Sequence, residues 1–233
     1  MSLPTRAHIS WQSNPAFDDE LLNRIKQNLV AGTFYPANAQ DIFAAFEMPL
    51  DDVRVVIVGL SPYPNINTLT KRPNACGYAF ALDADLPYEH WPKSLQVIGD
   101  ALANSANPEI EHIEQYLGSS LQLWRDQGVL LLNAALTCLH NNPTSHVELW
   151  RQFMSKTIDF IDEARPGLIY YFMGTEAKSF QSKIVNLGAH IFSSAHPAFW
   201  ARNEKAFEDH QFTEIAKTYH WLYGERLDWY LPF

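Results

Sequence analysis

The sequence predicts a three-layer α/β/α fold built on a central, mostly parallel four-stranded sheet. Two observations predict it. Four short, nearly uninterrupted apolar runs are rich in β-branched residues, and longer segments with helical spacing of apolar residues separate them. The chain has no Gly-, Ser- or Pro-rich linker that would divide it, so residues 1–233 are expected to form one domain.

The first fifty residues are predicted to be helical and lead into the first strand. Helices are expected at Asp18–Gln27 and Ala39–Met48, with Tyr35-Pro36 as a break between them. The segment Val53–Gly59 is short, almost entirely apolar and ends at glycine, which is typical of a strand buried on both faces.

The same strand pattern occurs three more times along the chain. These runs are Gly128–Asn133, Gly167–Phe172 and Ala189–Ser193. Helical spacing is found in the segments around them, namely Leu95–Ala103, Glu111–Trp124, Glu148–Ile161 and Glu176–Leu187. Strands that alternate with helices indicate crossover connections and a parallel, doubly wound sheet.

Composition limits the classes of function that fit. With 47% apolar and 18% charged residues, the chain is too hydrophobic for a disordered protein. The formal net charge is −9, from 17 Lys and Arg against 26 Asp and Glu. This balance excludes a polybasic nucleic-acid coat, so any contact with DNA must be local.

The two cysteines, Cys76 and Cys138, are too few for a four-cysteine zinc or iron–sulfur site. We expect buried thiols in a reducing cytosol, and neither a metal nor another cofactor. Residues 1–11 lack a basic patch followed by an apolar run, and no long apolar stretch occurs elsewhere. A cytoplasmic protein without membrane contact is therefore expected.

Ligands of such sheets bind beside the carboxyl ends of the strands, so the residues that follow the strands are the first candidates. Leu60–Pro64 contains two prolines, which would present Ser61 and Tyr63 rigidly. Asn133 ends an apolar run where its amide would be costly to bury without partners. His196 follows the last strand. Taken singly, Leu60–Pro64 fits an ordinary tight turn equally well, and the plainer readings are a turn or cap residue for Asn133 and a structural histidine for His196.

Four segments carry recognisable motifs when they are read together. Gly59–Pro64 reads GLSPYP, Gly77–Leu82 reads GYAFAL, Gly128–Thr137 reads GVLLLNAALT and His196–Ala201 reads HPAFWA. In order and spacing they resemble GQDPYH, GLxFSV, GVLLLNxxLT and HPSPLS, the motifs of family 1 uracil-DNA glycosylases. The resemblance spans residues 11–229 and implies that family's α/β/α fold.

The activity implied by the resemblance is hydrolysis of the N-glycosidic bond that joins uracil to deoxyribose in DNA. Such enzymes extrude the base into a tight pocket. By resemblance, Asn133 pairs with the uracil edge, Phe80 stacks on its face and Tyr63 excludes the C5-methyl group of thymine. Backbone amides around Leu60 hold a uracil oxygen. His196 stabilises the negative charge that develops on the leaving base.

The resemblance also implies a set of DNA contacts. Those residues are Ser94, Ser194, Pro197, Ala198 and Trp200, the last in place of the family's intercalating Leu. The expected partner is uracil-containing DNA, single- or double-stranded, bound by a monomer. A replication or repair protein is a second possible partner.

The departures from the family pattern bear on catalysis. Ser61 occupies the position of the family's catalytic Asp, and a serine holds water without carrying charge. Losing a group in that role costs about 10²–10⁴ in rate. Asp83 or Asp85 is a candidate for a displaced carboxylate, although ordinary loop aspartates are the plainer reading. Pro64 replaces the family's His.

The stretch between Pro64 and Gly77 is longer than the family's usual linker. It contains Lys71 and Arg72, which either reach a phosphate or a modified base or belong to a solvated loop.

Two functional hypotheses remain open. In the first, the protein is a divergent uracil-DNA glycosylase that uses His196 as catalytic residue and a water bound to Ser61. In the second, it is a module that keeps the pocket but has lost cleavage, and binds DNA or a replication or repair protein. Asn133, Phe80 and His196 favour the first hypothesis; Ser61 and the net acidity favour the second.

Overall fold

The computed structural model describes residues 6–30, 33–106, 113–203, 207 and 210–231. Its strands, in chain order, are β1 (Phe34–Tyr35), β2 (Val55–Gly59), β3 (Val129–Asn133), β4 (Cys138–Leu139), β5 (Ile169–Met173) and β6 (His190–Ser194). Its α-helices are α1 (Asp19–Gln27), α2 (Lys93–Ala106), α3 (Gln122–Asp126), α4 (Val147–Ala164), α5 (Thr175–Lys178), α6 (Pro197–Arg202) and α7 (Gln211–Tyr223).

The central sheet has four strands in the order β3-β2-β5-β6, and every neighbouring pair is parallel. Val55 lies opposite both Val129 and Ile169, and Gly59 lies opposite Asn133 at the other end. All four carboxyl ends therefore lie at one edge, as predicted. A separate two-stranded sheet pairs β1 with β4 in antiparallel fashion.

Alternate residues of the central strands face two different hydrophobic cores. Val56 and Val58 of β2 pack with residues of α1 and α4, whereas Val55 and Ile57 pack with residues of α2, α3 and α7. β2, β3 and β5 are buried along their whole length, and apart from Asn133 and the two tyrosines of β5 their side chains are apolar on both faces. The predicted three-layer architecture is confirmed.

Two of the predicted helices differ from the structure: one is interrupted and the other is shorter than predicted. Residues 111–112 of the expected helix Glu111–Trp124 lie outside the described residues, and a 3₁₀ turn at Ile113–Gln115 and left-handed Leu121 (φ +51°) interrupt the rest. The expected helix Glu176–Leu187 ends early. Its chain turns because the Asp162 carboxylate accepts hydrogen bonds from the backbone amides of residues 185 and 186.

Other helices differ from the prediction in type or extent. The segment Ala39–Glu47 is a 3₁₀ helix with a kink at Phe43. The patterns did not predict α7, although Phe212, Ile215 and Tyr219 form its buried face. No helix in the described part of the chain is long and apolar enough to span a membrane.

Candidate active site

The ends of β2 and β3 form the floor of the predicted site. The Gly59 carbonyl accepts a hydrogen bond from Ala134 N at 2.9 Å, which joins the two loops. A methyl group on Gly59 would lie 2.8 Å from Asn133 Oδ1 and 3.1 Å from the Phe80 ring. Glycine at this position therefore lets both side chains approach the end of β2.

Phe80 is buried and held in an unfavourable backbone conformation. Its φ of +63° lies in the left-handed region that favours glycine. The Tyr63 hydroxyl donates to the Phe80 carbonyl at 2.7 Å, and Ala79 N donates to the Leu131 carbonyl of β3 at 3.1 Å. Burial raises the pKa of Tyr63, so its hydroxyl stays protonated and remains a donor. These bonds fix the Phe80 ring before any ligand arrives.

Tyr78 connects the Phe80 segment to the far side of the sheet. Its ring lies 4.1 Å from the Arg125 guanidinium, and its hydroxyl donates to Glu47 Oε2 at 2.6 Å. Burial and this hydrogen bond raise the pKa of Tyr78 to about 12. The Phe80 segment is therefore held from two directions, by Tyr63 at the site and by Tyr78 behind it.

Asn133 carries a buried amide that has no protein partner. Its side chain is 3% exposed, and it makes no hydrogen bond with any residue in the described ranges. The buried side-chain atoms without a partner do not include its amide atoms, which therefore keep some accessible surface. The group offers one acceptor oxygen and a nitrogen with two donors, which suits the edge of a base. Because Asn133 Oδ1 lies over Gly59 beside Phe80, the free amide faces the same space as the ring.

His196 is positioned as the N-cap of α6. Its Nδ1 accepts a hydrogen bond from Ala198 N at 3.1 Å, which places the proton of the neutral ring on Nε2. Burial, and secondarily the charge of Arg202, lowers the pKa of His196 to about 4. Its ring centroid lies 5.6 Å from that of Phe80, and a methyl group on Gly174 would lie 2.8 Å from its Cβ. His196 is thus a neutral donor near pH 7.

Ser61 is half-buried beside this space. Its hydroxyl donates to the Pro62 carbonyl at 3.3 Å, and the Cys138 thiol donates to the same carbonyl at 3.2 Å. Burial raises the pKa of Cys138 to about 12, so it is a neutral thiol. The Leu60 carbonyl accepts from Ala135 N at 3.0 Å and fixes the start of the loop. The Ser61 oxygen can accept a hydrogen bond from water but supplies no charge.

The structure assigns Asp85 a structural role. Its Oδ1 accepts a hydrogen bond from Ser120 N at 2.8 Å, and a methyl group on Gly118 would collide with its carboxylate at 2.6 Å. Asp85 therefore holds the 118–120 turn. Asp83 is exposed and lines a groove beside residues 67–74. The plainer reading, ordinary loop aspartates, fits both.

Ser94 and Ser194, predicted to bind phosphates, lie near the edge of the sheet. Ser94 is buried in the first turn of α2. The Ser194 hydroxyl accepts from the Tyr171 hydroxyl at 2.9 Å and donates to the Ala195 carbonyl at 3.0 Å. Because its single proton is already used, Ser194 must rotate to bind a phosphate. Both assignments stay predictions.

The segment after His196 is the helix α6. Pro197 is buried at its first position, which suits proline, and the backbone amide of Ala198 is used by His196. The helix α6 packs against α2, the helix that contains Ser94. The DNA contacts expected of Pro197 and Ala198 stay predictions.

Trp200, predicted to insert into DNA, is half-buried. Its indole Nε1 is buried without a partner, and its ring centroid lies 6.0 Å from that of Phe207. The neighbouring Phe199 is 47% exposed. Alignment by sequence order missed Phe199, because successive helical residues point about 100° apart and only the fold shows which one faces outward.

A groove of about 560 Å³ lies at the opposite, amino ends of β2 and β3. It is lined by Arg54, Arg125, Glu47 and Glu225 among others, and Arg54 forms an ion pair with Glu225. Its charges are mixed and partly neutralised by one another. Since ligands of open parallel sheets bind at the carboxyl ends, we place the site at Asn133 and not in this groove.

Sequence analysis assigned no role to Gly59, Gly174 or Tyr78. Gly59 ends a predicted strand and Gly174 follows one. A glycine at the end of a strand can indicate that neighbouring side chains approach the backbone closely, and this was the only hint in the sequence. Tyr78 stands within a recognised motif, but its partners come from distant segments. Its role depends on tertiary contacts that the local pattern does not contain.

Comparison with known proteins finds matches over most of the chain. Residues 46–220 match the family model described as the uracil DNA glycosylase superfamily. A uracil-DNA glycosylase from Coxiella burnetii is 30% identical over 91% of this chain and 87% of its own length. One from Photorhabdus laumondii is 33% identical over 80% of this chain and 77% of its own.

Solved structures show the same fold. The crystal structure of mimivirus uracil-DNA glycosylase superposes with a TM-score of 0.77 at 20% identity, covering 98% of this chain and 89% of that one. A wild-type UNG from Nitratifractor salsuginis gives a TM-score of 0.62 at 21% identity, covering 90% and 92%.

Proposed function

This chain belongs to the uracil DNA glycosylase superfamily, and on that premise we propose that it recognises uracil, or a related pyrimidine, in DNA. It hydrolyses the N-glycosidic bond of that nucleotide as a step of base-excision repair, at a reduced rate. The observation that carries the proposal is the buried, unpartnered amide of Asn133 beside the fixed ring of Phe80.

Recognition follows from the complementarity of an amide and an imide. Uracil presents an N–H flanked by carbonyl oxygens, so Asn133 Oδ1 accepts from the N–H while its Nδ2 donates to a carbonyl. Phe80 covers the face of the ring. Tyr63, held against the Phe80 carbonyl, occupies the space that a C5-methyl group would need. A base must leave the duplex to reach these groups.

The reaction separates charge. The bond between C1′ and N1 breaks, and its electron pair stays on the base while positive charge develops on the sugar. Water then forms a new bond to C1′, and its proton leaves to solvent or to the base. The neutral His196 donates its Nε2 proton in a hydrogen bond to the leaving base and stabilises the anion.

The positive charge that develops on the sugar is stabilised less well than the negative charge on the base. Ser61 accepts a hydrogen bond from the attacking water and orients it, but adds no negative charge beneath the sugar. Loss of a charged group in this role lowers the rate by about 10²–10⁴. The site therefore has all the groups that recognise the base, but it hydrolyses the N-glycosidic bond slowly.

A second candidate function is binding of uracil-containing DNA without cleavage. One observation favours it. The Ser61 hydroxyl donates to the backbone at Pro62, so the group at the catalytic position already has an internal partner.

Release of free uracil from a single-stranded oligonucleotide with one deoxyuridine tests the proposal. We expect slow release from the deoxyuridine strand and none from its thymidine twin. Binding of the deoxyuridine strand in preference to the twin, without any release, would support the second candidate. Equal binding of both strands would contradict uracil recognition altogether.

A further inference from the structure

Residues 65–76, which we call the finger, join two walls of the candidate site. The finger begins after Pro64 and ends before Gly77. Its two arms pair with each other: Asn67 N donates to the Arg72 carbonyl at 2.7 Å, and Asn74 N donates to the Asn65 carbonyl at 3.1 Å. The finger is therefore a short hairpin.

Two buried asparagines hold the finger in one conformation. Asn67 Nδ2 donates to Asn74 Oδ1 at 2.9 Å and to the His90 carbonyl at 3.0 Å. Asn74 Nδ2 donates to Asn65 Oδ1 at 3.0 Å. A buried network whose members are satisfied makes a segment rigid. Its tip is thus ordered before binding, which lowers the entropic cost of a contact.

The tip of the finger presents two cations and one aliphatic side chain to solvent. Lys71 and Arg72 are exposed, and Leu69 is 49% exposed. Neither cation forms an ion pair with a carboxylate among the residues that the structure describes. The nearest acidic neighbour in its groove is Asp83, which lines the same groove of about 350 Å³ as Arg72. These charges are available to an anionic partner, in a chain whose net charge is −9.

The finger stands beside the predicted phosphate contacts. Besides the bond from Asn67 to the His90 carbonyl, Thr68 Oγ1 lies 3.0 Å from His90 Nδ1. The chain runs from His90 directly into the first turn of α2, which contains Lys93 and Ser94. The finger is therefore tied to the segment that leads into Ser94, and its ends continue into the segments that contain Tyr63 and Phe80.

We propose that the finger is a phosphate-binding surface for the DNA strand that carries the target base. Lys71 and Arg72 contact phosphates that flank the target nucleotide, and Leu69 packs on a neighbouring sugar or base. Contacts of this kind add affinity without reading sequence. The inference rests on the proposed function in that it assumes a DNA strand enters the site.

The salt dependence of binding tests the finger. The variant Lys71→Ala/Arg72→Ala is compared with Arg24→Ala/Lys26→Ala, which removes the same charge from exposed positions on α1. The probe is a fluorescein-labelled single strand with one deoxyuridine, together with its thymidine twin. Each phosphate contact contributes about 0.7 to the slope of log affinity against log salt on a single strand. We expect the finger variant to lose about 1.4 in slope on both strands, and the α1 variant to keep the wild-type slope.

Several outcomes decide between the proposals. An unchanged slope in the finger variant would overturn the inference and leave the cations to an acidic protein surface. An equal loss in the α1 variant would also overturn it, since net charge would then explain the effect. Preference for deoxyuridine over thymidine tests the proposed function separately, because the finger contacts backbone common to both strands.

Shortened probes test where the contact lies. Strands truncated close to the deoxyuridine on the 5′ side or on the 3′ side are bound by the wild type and the finger variant. We expect the difference between the two proteins to vanish with one truncation and persist with the other. A difference that survives both truncations would contradict a contact with the flanking phosphates.

Discussion

The two sides of the candidate site differ in how completely they are equipped for the reaction. On the side of the base, Asn133 holds a free amide, Phe80 is fixed in a left-handed conformation and His196 is a neutral donor. On the side of the sugar and water, Ser61 carries no charge and donates its proton to the backbone. Recognition of a base and activation of water are thus separable parts of one site.

This difference has a physical basis. The groups that recognise the base are neutral, and their burial is made tolerable by hydrogen bonds or by the ligand itself. A carboxylate at position 61 would instead have to remain charged beside the buried thiol of Cys138. The base-binding half can therefore persist by packing alone, whereas the catalytic half depends on one charged side chain.

The largest effect is expected when the free amide is removed. Asn133→Leu keeps the size of the side chain but leaves the polar edge of uracil unpaired, which should lower kcat/KM for deoxyuridine by about 10⁴. Asn133→Asp is the matched variant. It replaces a donor by an acceptor, so it should shift preference toward cytosine, whose exocyclic amine donates. Steady-state release of each base measures both effects. Unchanged discrimination in both variants would place recognition elsewhere.

A smaller loss is expected at His196. His196→Ala removes the donor to the leaving base and should lower kcat by about 10²–10³ with little change in KM, because the bond strengthens as charge develops. His196→Gln keeps an N–H donor and should restore part of the rate. Single-turnover kinetics separate kcat from binding. A rise in KM by the same factor, without loss of kcat, would show that His196 only binds the substrate.

A modest effect is expected at Tyr78, which lies behind the site. Tyr78→Phe removes the hydrogen bond to Glu47 and keeps the ring on Arg125, at a cost of about 1 kcal/mol. We expect Tyr78→Phe to raise KM by less than about tenfold and to keep kcat. Tyr78→Leu, which also removes the ring from Arg125, should raise KM further. Thermal unfolding of each variant provides the control. Loss of stability with unchanged KM would make Tyr78 a packing residue only.

The smallest change is expected from pH. The folded pKa of His196 is about 4, below the unfolded value of about 6.5, so its neutral form contributes stability above pH 6.5 that is lost as pH falls toward 4. The rate of uracil release should therefore show no pH dependence from titration of His196 between about pH 6 and 8. NMR titration of the imidazole gives the pKa and the protonated nitrogen. A pKa near 6.5, or a proton on Nδ1, would contradict the neutral Nε2 donor.

The sequence predicted the sheet and its reactive edge because both depend on local patterns. Apolar strands ending at Gly59 and Asn133 fix which loops share an edge. It did not predict that Phe199 is exposed while Trp200 packs on Phe207, because that depends on the orientation of α6. The hydrogen bonds between Asn67 and Asn74 in the finger could not be predicted from the sequence either, because isolated asparagines in a loop usually indicate turns.

The most direct test of the account compares the wild type with Ser61→Asp on a single strand that contains one deoxyuridine. Restoring the carboxylate should raise the rate of uracil release by about 10²–10⁴ without changing the affinity for the strand. Such a result would show an intact base pocket joined to a weakened catalytic loop. No increase in rate, with normal folding and strand binding, would contradict the claim that the missing charge at residue 61 limits the reaction.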